Sequence, residues 1–172
     1  MEYIFPKISF VVYSGIGTIV LGVFLLLGIV WGKKGPLNYI LGSLVCISIG
    51  IFVLYIAKGG TLKIENNKLI LKVPIYSQKV IASNQISEIQ ITSLEADSPY
   101  LPVKRKSGTS TKKFKSGWFT LKNSERAFLL LEGNKGLYIK TTDGNVYLIG
   151  IKDFAQFLEI FQSKVKKLSN FK

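Results

Sequence analysis

The chain is 172 residues long, with 23 Lys+Arg against 10 Asp+Glu, one Cys and no His. That inventory leaves almost no material for a zinc site, a His-based catalytic triad or a disulfide framework. A formal net charge of +13 beside a mean hydropathy of +0.31 requires the apolar and basic residues to occupy different segments, because one soluble domain rarely carries both.

The apolar share lies at the start. Residues 8–31 form a run of 24 with no ionisable group. As a helix the run is about 36 Å long, enough to cross a hydrocarbon core of about 30 Å with some tilt. After Gly32-Lys33-Lys34-Gly35-Pro36 a second charge-free run of 21, residues 37–57, predicts a second span. A cleaved signal peptide fits poorly: the stretch exceeds a usual apolar region, and the segment before it carries Glu2 beside its one Lys7. The short connection predicts an antiparallel transmembrane hairpin with both flanks on one side. Lys33 and Lys34 lie in the connection, against Lys7, Lys58, Lys63, Lys68 and Lys72 on the other side. The Lys/Arg bias therefore favours N-in and C-in, a multi-pass protein of the cell membrane with its larger part in the cytoplasm. Trp31 and Tyr39 near the connection, and Tyr3 and Tyr55 at the other boundary, suit interfacial positions. Small residues recur every four positions, as Ser14, Thr18 and Gly22 and as Gly42, Cys46 and Gly50. Such faces let helices approach closely, either within the hairpin, the simpler reading, or between copies in an oligomer. Neither run holds the acid, base or His that a proton or ion pathway would use.

From Lys58 the texture changes, so residues 1–57 and 58–172 are expected to be separate parts. Residues 61–65 and 68–73 flank Asn66-Asn67, a tight-hairpin connection. Strand patterns follow at 77–82 and 86–92. Residues 93–116 are polar, Pro-containing and basic, and are expected to be a loop. Strands resume at 118–121, 127–132, 137–141 and 146–149, the last two joined by Asp143-Gly144-Asn145. Residues 153–168 place Phe154, Phe157, Leu158, Phe161, Val165 and Leu168 at helical spacing. Asp153 near the start and Lys164, Lys166 and Lys167 near the end complement the helix dipole. The layout is α+β, seven or eight strands with one C-terminal amphipathic helix.

Residues 105–161 carry a family pattern: a basic segment leads to Gly117-Trp118, then a short strand, then the hairpin LYIKTTDGNVYLIG, then a D-F-x-x-F helix start at Asp153. With the two spans, this resembles the bacterial pleckstrin-homology-like (PH-like) membrane proteins. The resemblance implies a bent antiparallel sheet of about seven strands, closed at one end by the helix, and no single function. Eukaryotic PH domains that bind phosphoinositides commonly use basic residues of the first hairpin loop. Here that turn is Asn66-Asn67, short and uncharged, which argues against phosphoinositide recognition.

Charge is the strongest local signal. Lys104, Arg105, Lys106, Lys112, Lys113 and Lys115 put six positive charges into twelve residues, with no acid between Asp97 and Glu125. Near an anionic leaflet each is worth on the order of 1 kcal/mol. The segment is thus a candidate for binding an anionic lipid surface, against the alternative of a solvated loop without a specific partner. Residues 58–172 hold 20 basic and 9 acidic residues, net +11, so non-specific nucleic-acid binding is a second reading. It is disfavoured because only Phe114 interleaves with the cluster as a stacking group. No phosphate-binding loop, paired-carboxylate or nucleophile motif appears, and Glu125-Arg126 and Asp143-Gly144 read as turn and surface residues. The expectation is a non-enzymatic binding or scaffold module without cofactor or metal, meeting an anionic lipid surface or, through an exposed strand edge, a protein partner.

Overall fold

The computed structural model describes residues 2–4, 9–31, 36–57, 59–76, 78–111 and 114–165. The chain divides into two compact units, Pro6–Gly59 and Met1–Phe5 with Gly60–Lys172.

The first unit is a pair of helices, α1 (Ser9–Trp31) and α2 (Pro36–Ala57). Pro36 suits the first position of α2, where its missing N–H costs no helical bond. Among the described residues one helix, Leu37–Ala57, is long and apolar enough to cross a membrane, with a mean hydropathy of 2.5; the matching apolar stretch of α1 is Val11–Leu27. The helices run antiparallel, since Gly15 faces Gly50 and Leu54 while Gly22 faces Ser43, Cys46 and Ile47. The contact seam keeps Gly22, Cys46 and Gly50 of the expected small-residue faces but is built on Gly15 and Ser43 rather than Ser14 and Gly42. Gly15, Gly22, Ser43 and Gly50 are buried, whereas Ser14 is exposed. Ser14 and Thr18 turn their hydroxyls back to Val11 O and Ser14 O of their own helix. The seam repeats every seven residues, two helical turns, so it stays in register along both helices where a four-residue repeat would drift around them.

The second unit holds ten strands and one helix among its described residues. The first sheet contains β1 (Glu2–Ile4), β2 (Thr61–Glu65), β3 (Lys68–Lys72) and β4 (Lys79–Ala82), antiparallel and in that order. Asn66 and Asn67 link β2 and β3 with φ of 48° and 58°. These are the left-handed values a two-residue hairpin turn demands and Asn tolerates. β1 was not expected: it pairs with β2 through Glu2↔Lys63, Tyr3↔Leu62 and Ile4↔Thr61. Tyr3 also donates from its hydroxyl to Glu132 Oε2 at 2.9 Å.

A single 3-10 turn, Ser83–Gln85, leads into the second sheet. Its strands are β5 (Ile86–Ser93), β6 (Pro102–Ser110), β7 (Phe114–Leu121), β8 (Arg126–Glu132), β9 (Lys135–Thr141) and β10 (Val146–Gly150), in the order β5-β9-β10-β8-β7-β6. The implied all-antiparallel sheet of about seven strands is corrected here, because β10 lies parallel to β8 and separates it from β9. The chain therefore crosses the end of β10 at residues 133–134. Gly150 sits under that crossing, where a Cβ would run into Lys135 O, so a side chain there would push the strands apart.

The buried runs explain the strand order. All five residues of β10 and residues 127–131 of β8 are buried, as expected of central strands covered on both faces. One face carries Phe119, Leu121, Ala127, Leu129, Leu131, Tyr138, Val146 and Leu148, covered by Leu94 and Tyr100 from the segment before β6. Phe128, Leu130, Ile139 and Ile149 face the other way and are also buried. The amphipathic helix α3 (Phe154–Lys164) buries Phe154, Phe157 and Phe161, and Val165 follows as a buried cap. Asp153 stands at its N-cap without a side-chain capping bond. Lys166, Lys167 and Leu168, assigned to this helix from the sequence, lie outside the described residues.

Candidate functional site

The basic segment is not the expected loop. Lys104, Arg105 and Lys106 lie on β6, the outermost strand of its sheet, and Lys115 lies on the neighbouring β7. Lys112 and Lys113 lie outside the described residues. β6 is exposed along nearly its whole length. A strand wet on both faces needs no apolar alternation, so its sequence reads like a loop, and lysines on such an edge discourage pairing with other chains.

Register shows which of these cations share a face. Lys104 pairs with Thr120, while Arg105 pairs with the buried Phe119 and so lies on the opposite face; the ladder slips between Arg105 and Ser107, leaving Lys106 at the irregularity. Lys115 pairs with Ser110 on one side and Leu131 on the other, on the same side as Arg105. The run of basic residues is thus divided between two faces of the sheet. The close approach of β6 to β7 here requires Gly117, whose φ is +106° and whose Cβ would fall 2.5 Å from Ser107 O.

On the Lys104 face the structure assembles groups that the sequence keeps apart. Thr120 lies between Lys104 and Arg126, paired with each. Two residues back along β7, on the same face, the half-buried ring of Trp118 has the Arg126 guanidinium 4.5 Å and the Lys79 Nζ 5.9 Å from its centroid. Phe128 meets Trp118 edge-on at 5.3 Å and Tyr76 meets Phe128 at 5.9 Å. None of Lys79, Lys104 or Arg126 has a carboxylate within salt-bridge distance among the described residues. Sequence reading passed over Lys79 and Thr120 and took Arg126 for a surface charge, because no linear run joins them. Only strand register brings them together.

The opposite face is quieter. Glu125 accepts hydrogen bonds from Tyr138 Oη (2.9 Å), Lys140 Nζ (2.9 Å) and Asn123 Nδ2 (2.8 Å). Burial pushes the Glu125 carboxyl up, but these donors together outweigh it and hold the group below its ordinary range. Burial, then the bond to Glu125, pushes the Tyr138 hydroxyl up. Every polar member has a partner, as befits a structural brace. Two aromatic rings near the basic segment are covered: Phe114 is 4% exposed and Tyr100 packs on Tyr138 at 4.5 Å between centroids.

A second concavity lies at the far edge of the same sheet. An open groove of about 890 Å³ runs between β5 and the start of α3, lined in part by Ile91, Lys135, Lys152, Asp153, Phe154 and Leu158. Among the described residues β5 pairs only with β9, which leaves its outer edge unpaired there. Among the described residues no group of three or more His, Cys, Asp or Glu could hold a metal.

Residues 60–165 match the family model of the bacterial PH domain. The match spans more than half of the 172 residues, and the chain belongs to that family, as the resemblance of residues 105–161 implied. No curated protein matches the chain. PH domains are in general non-catalytic binding modules, and an exposed outer strand, β6, and a basic face fit that class.

Proposed function

We propose that the chain is a membrane-anchored binding module, with α1 and α2 as a two-span hairpin holding the PH-like domain, closed by α3, at the cytoplasmic face of the cell membrane. The carrying observation is the pairing of β1 with β2. β1 precedes the first helix and β2 follows the second. A bilayer cannot lie between two hydrogen-bonded strands, so the chain crosses an even number of times. If α2 crosses, α1 crosses back. Most outward residues of both helices are apolar, Phe24, Leu27, Leu44 and Phe52 among them, with Ser14, Asn38 and Ser48 as polar exceptions; the apolar majority suits lipid rather than water as their surroundings. The side follows from the Lys/Arg bias in the sequence.

So tethered, the domain engages the anionic leaflet through the basic β6–β7 region, with Lys104, Arg105, Lys106, Lys112, Lys113 and Lys115 as its cations. The test uses full-length protein in vesicles, with Cys46→Ala and a dye on Glu159→Cys transferring energy to labelled headgroups. Transfer should rise when anionic lipid replaces neutral lipid, fall with added salt and lose its lipid dependence when all six cations become Gln. Equal transfer in neutral and anionic membranes would refute lipid engagement.

The groove beside β5 favours a second reading, in which an extended segment of a protein partner adds to the free strand edge. Main-chain pairing of that kind persists at salt concentrations that release a lipid contact.

A further inference from the structure

We infer that the domain docks on anionic phospholipid headgroups by one particular face, centred on Trp118 and framed by Lys79, Lys104 and Arg126. This rests on the lipid reading above and narrows it to a set of residues mostly outside the basic segment.

The geometry carries the inference in three steps. First, Arg126, Thr120 and Lys104 form one row across β8, β7 and β6 on a single face. Neighbouring strands lie about 4.8 Å apart, so the two cations flank a hydroxyl with room for one phosphate-sized anion between them. Second, Trp118 lies beside the row with Arg126 at 4.5 Å and Lys79 at 5.9 Å from its ring centroid. An indole bordered by cations is the combination suited to a membrane interface, with an apolar ring toward the acyl boundary and charges at phosphate depth. Third, three like charges converge here with no carboxylate ion pair among the described residues. Such an arrangement leaves unfavourable self-repulsion that an anionic surface relieves.

Among the described residues, the opposite face of the same strands offers no comparable grouping. Its cations, Arg105 and Lys115, stand four β7 positions apart, since Arg105 pairs with Phe119 and Lys115 is on β7 itself. The lipid is the occupant of choice because three residues separate Ala57, the end of α2, from Thr61, the start of β2. The chain that carries this face thus also carries an apolar helix of membrane length, with three residues between it and the domain's β2 in sequence.

The test uses full-length protein in vesicles with Trp31→Phe, which leaves Trp118 as the sole indole. Quenching by lipids spin-labelled at the headgroup is read in neutral membranes and in membranes with added phosphatidylserine, each variant against its own neutral baseline. Phosphatidylserine should increase quenching of Trp118. Replacing Lys79, Lys104 and Arg126 together by Gln should lower the apparent docking constant on the order of 100-fold and abolish that increase. Arg105→Gln with Lys115→Gln should retain it. The charge-preserving set Lys79→Arg, Lys104→Arg and Arg126→Lys should also retain it, separating lost charge from lost fold.

If the Arg105 and Lys115 pair abolishes the response and the three-residue set does not, the assigned face is wrong while lipid engagement stands. If the Glu159 dye responds to phosphatidylserine and Trp118 does not, the same conclusion follows. No response from either probe overturns both readings, as it would if an acidic protein or a nucleic acid occupied this face instead.

Discussion

Glu125 shows how one residue's setting decides its meaning. Beside Arg126 in sequence it reads as a surface charge. In the fold it accepts from Tyr138, a residue only 2% exposed. Removing the acceptor leaves a buried hydroxyl unpaired, so Glu125→Ala should destabilise the domain by about 1–3 kcal/mol. The carboxyl lies below its ordinary range in the folded state. Its contribution is therefore present above the unfolded value near 4.3 and is lost as pH falls through the folded value. Thermal unfolding in detergent should show the native protein losing its advantage over Glu125→Gln as pH drops below about 4. Tyr3 works in the opposite direction. Burial, followed by its bond to Glu132, pushes its hydroxyl up to about 12. The stability it supplies is full below about 10 and fades as pH climbs through 12. A native-minus-Glu125→Gln difference that stays constant between pH 6 and 3 would contradict the first of these assignments.

At the scale of elements, the helix pair gives the sharpest expectation. A Cβ on Gly50 would lie 2.9 Å from Gly15 O and 3.1 Å from the Ile19 backbone N, while one on Gly17 meets nothing within 4 Å. Gly50→Ala should therefore cost about 1–3 kcal/mol through overpacking, and Gly17→Ala should be neutral or slightly stabilising. Equal effects in a detergent melt would argue against this seam. The elements also show what the sequence makes legible. Long apolar runs, the Asn66-Asn67 turn and the Phe spacing of α3 announce themselves because each is a local pattern with a local cause. Three features do not. β6 lacks alternation because both its faces are wet. β1 is three residues long, too short for any periodicity, and exists only because β2 offers a partner edge. The parallel β8–β10 pair follows from a crossing at residues 133–134 that no neighbouring residues encode. The basic segment itself stood out by charge, but its division between two faces depends on register, as does the meeting of Lys79, Thr120 and Arg126 around Trp118.

For the whole molecule, the opening contrast between apolar and basic composition resolves into two units: a helix pair rich in exposed Leu, Ile, Val and Phe, and a PH-like domain carrying a net +11 over residues 58–172. The strand before the first helix belongs to the second unit. Under the membrane anchoring proposed above, that placement has the chain leave and re-enter the same compartment. The central claim is that the domain and the N-terminal strand lie together on the cytoplasmic side. Single cysteines at Glu2 and at Asn123, each in a Cys46→Ala background, test it with a membrane-impermeant maleimide applied to intact cells and to permeabilised ones. Both positions should resist labelling in intact cells and react after permeabilisation. Labelling of Asn123→Cys, or of Glu2→Cys alone, from outside intact cells would contradict it.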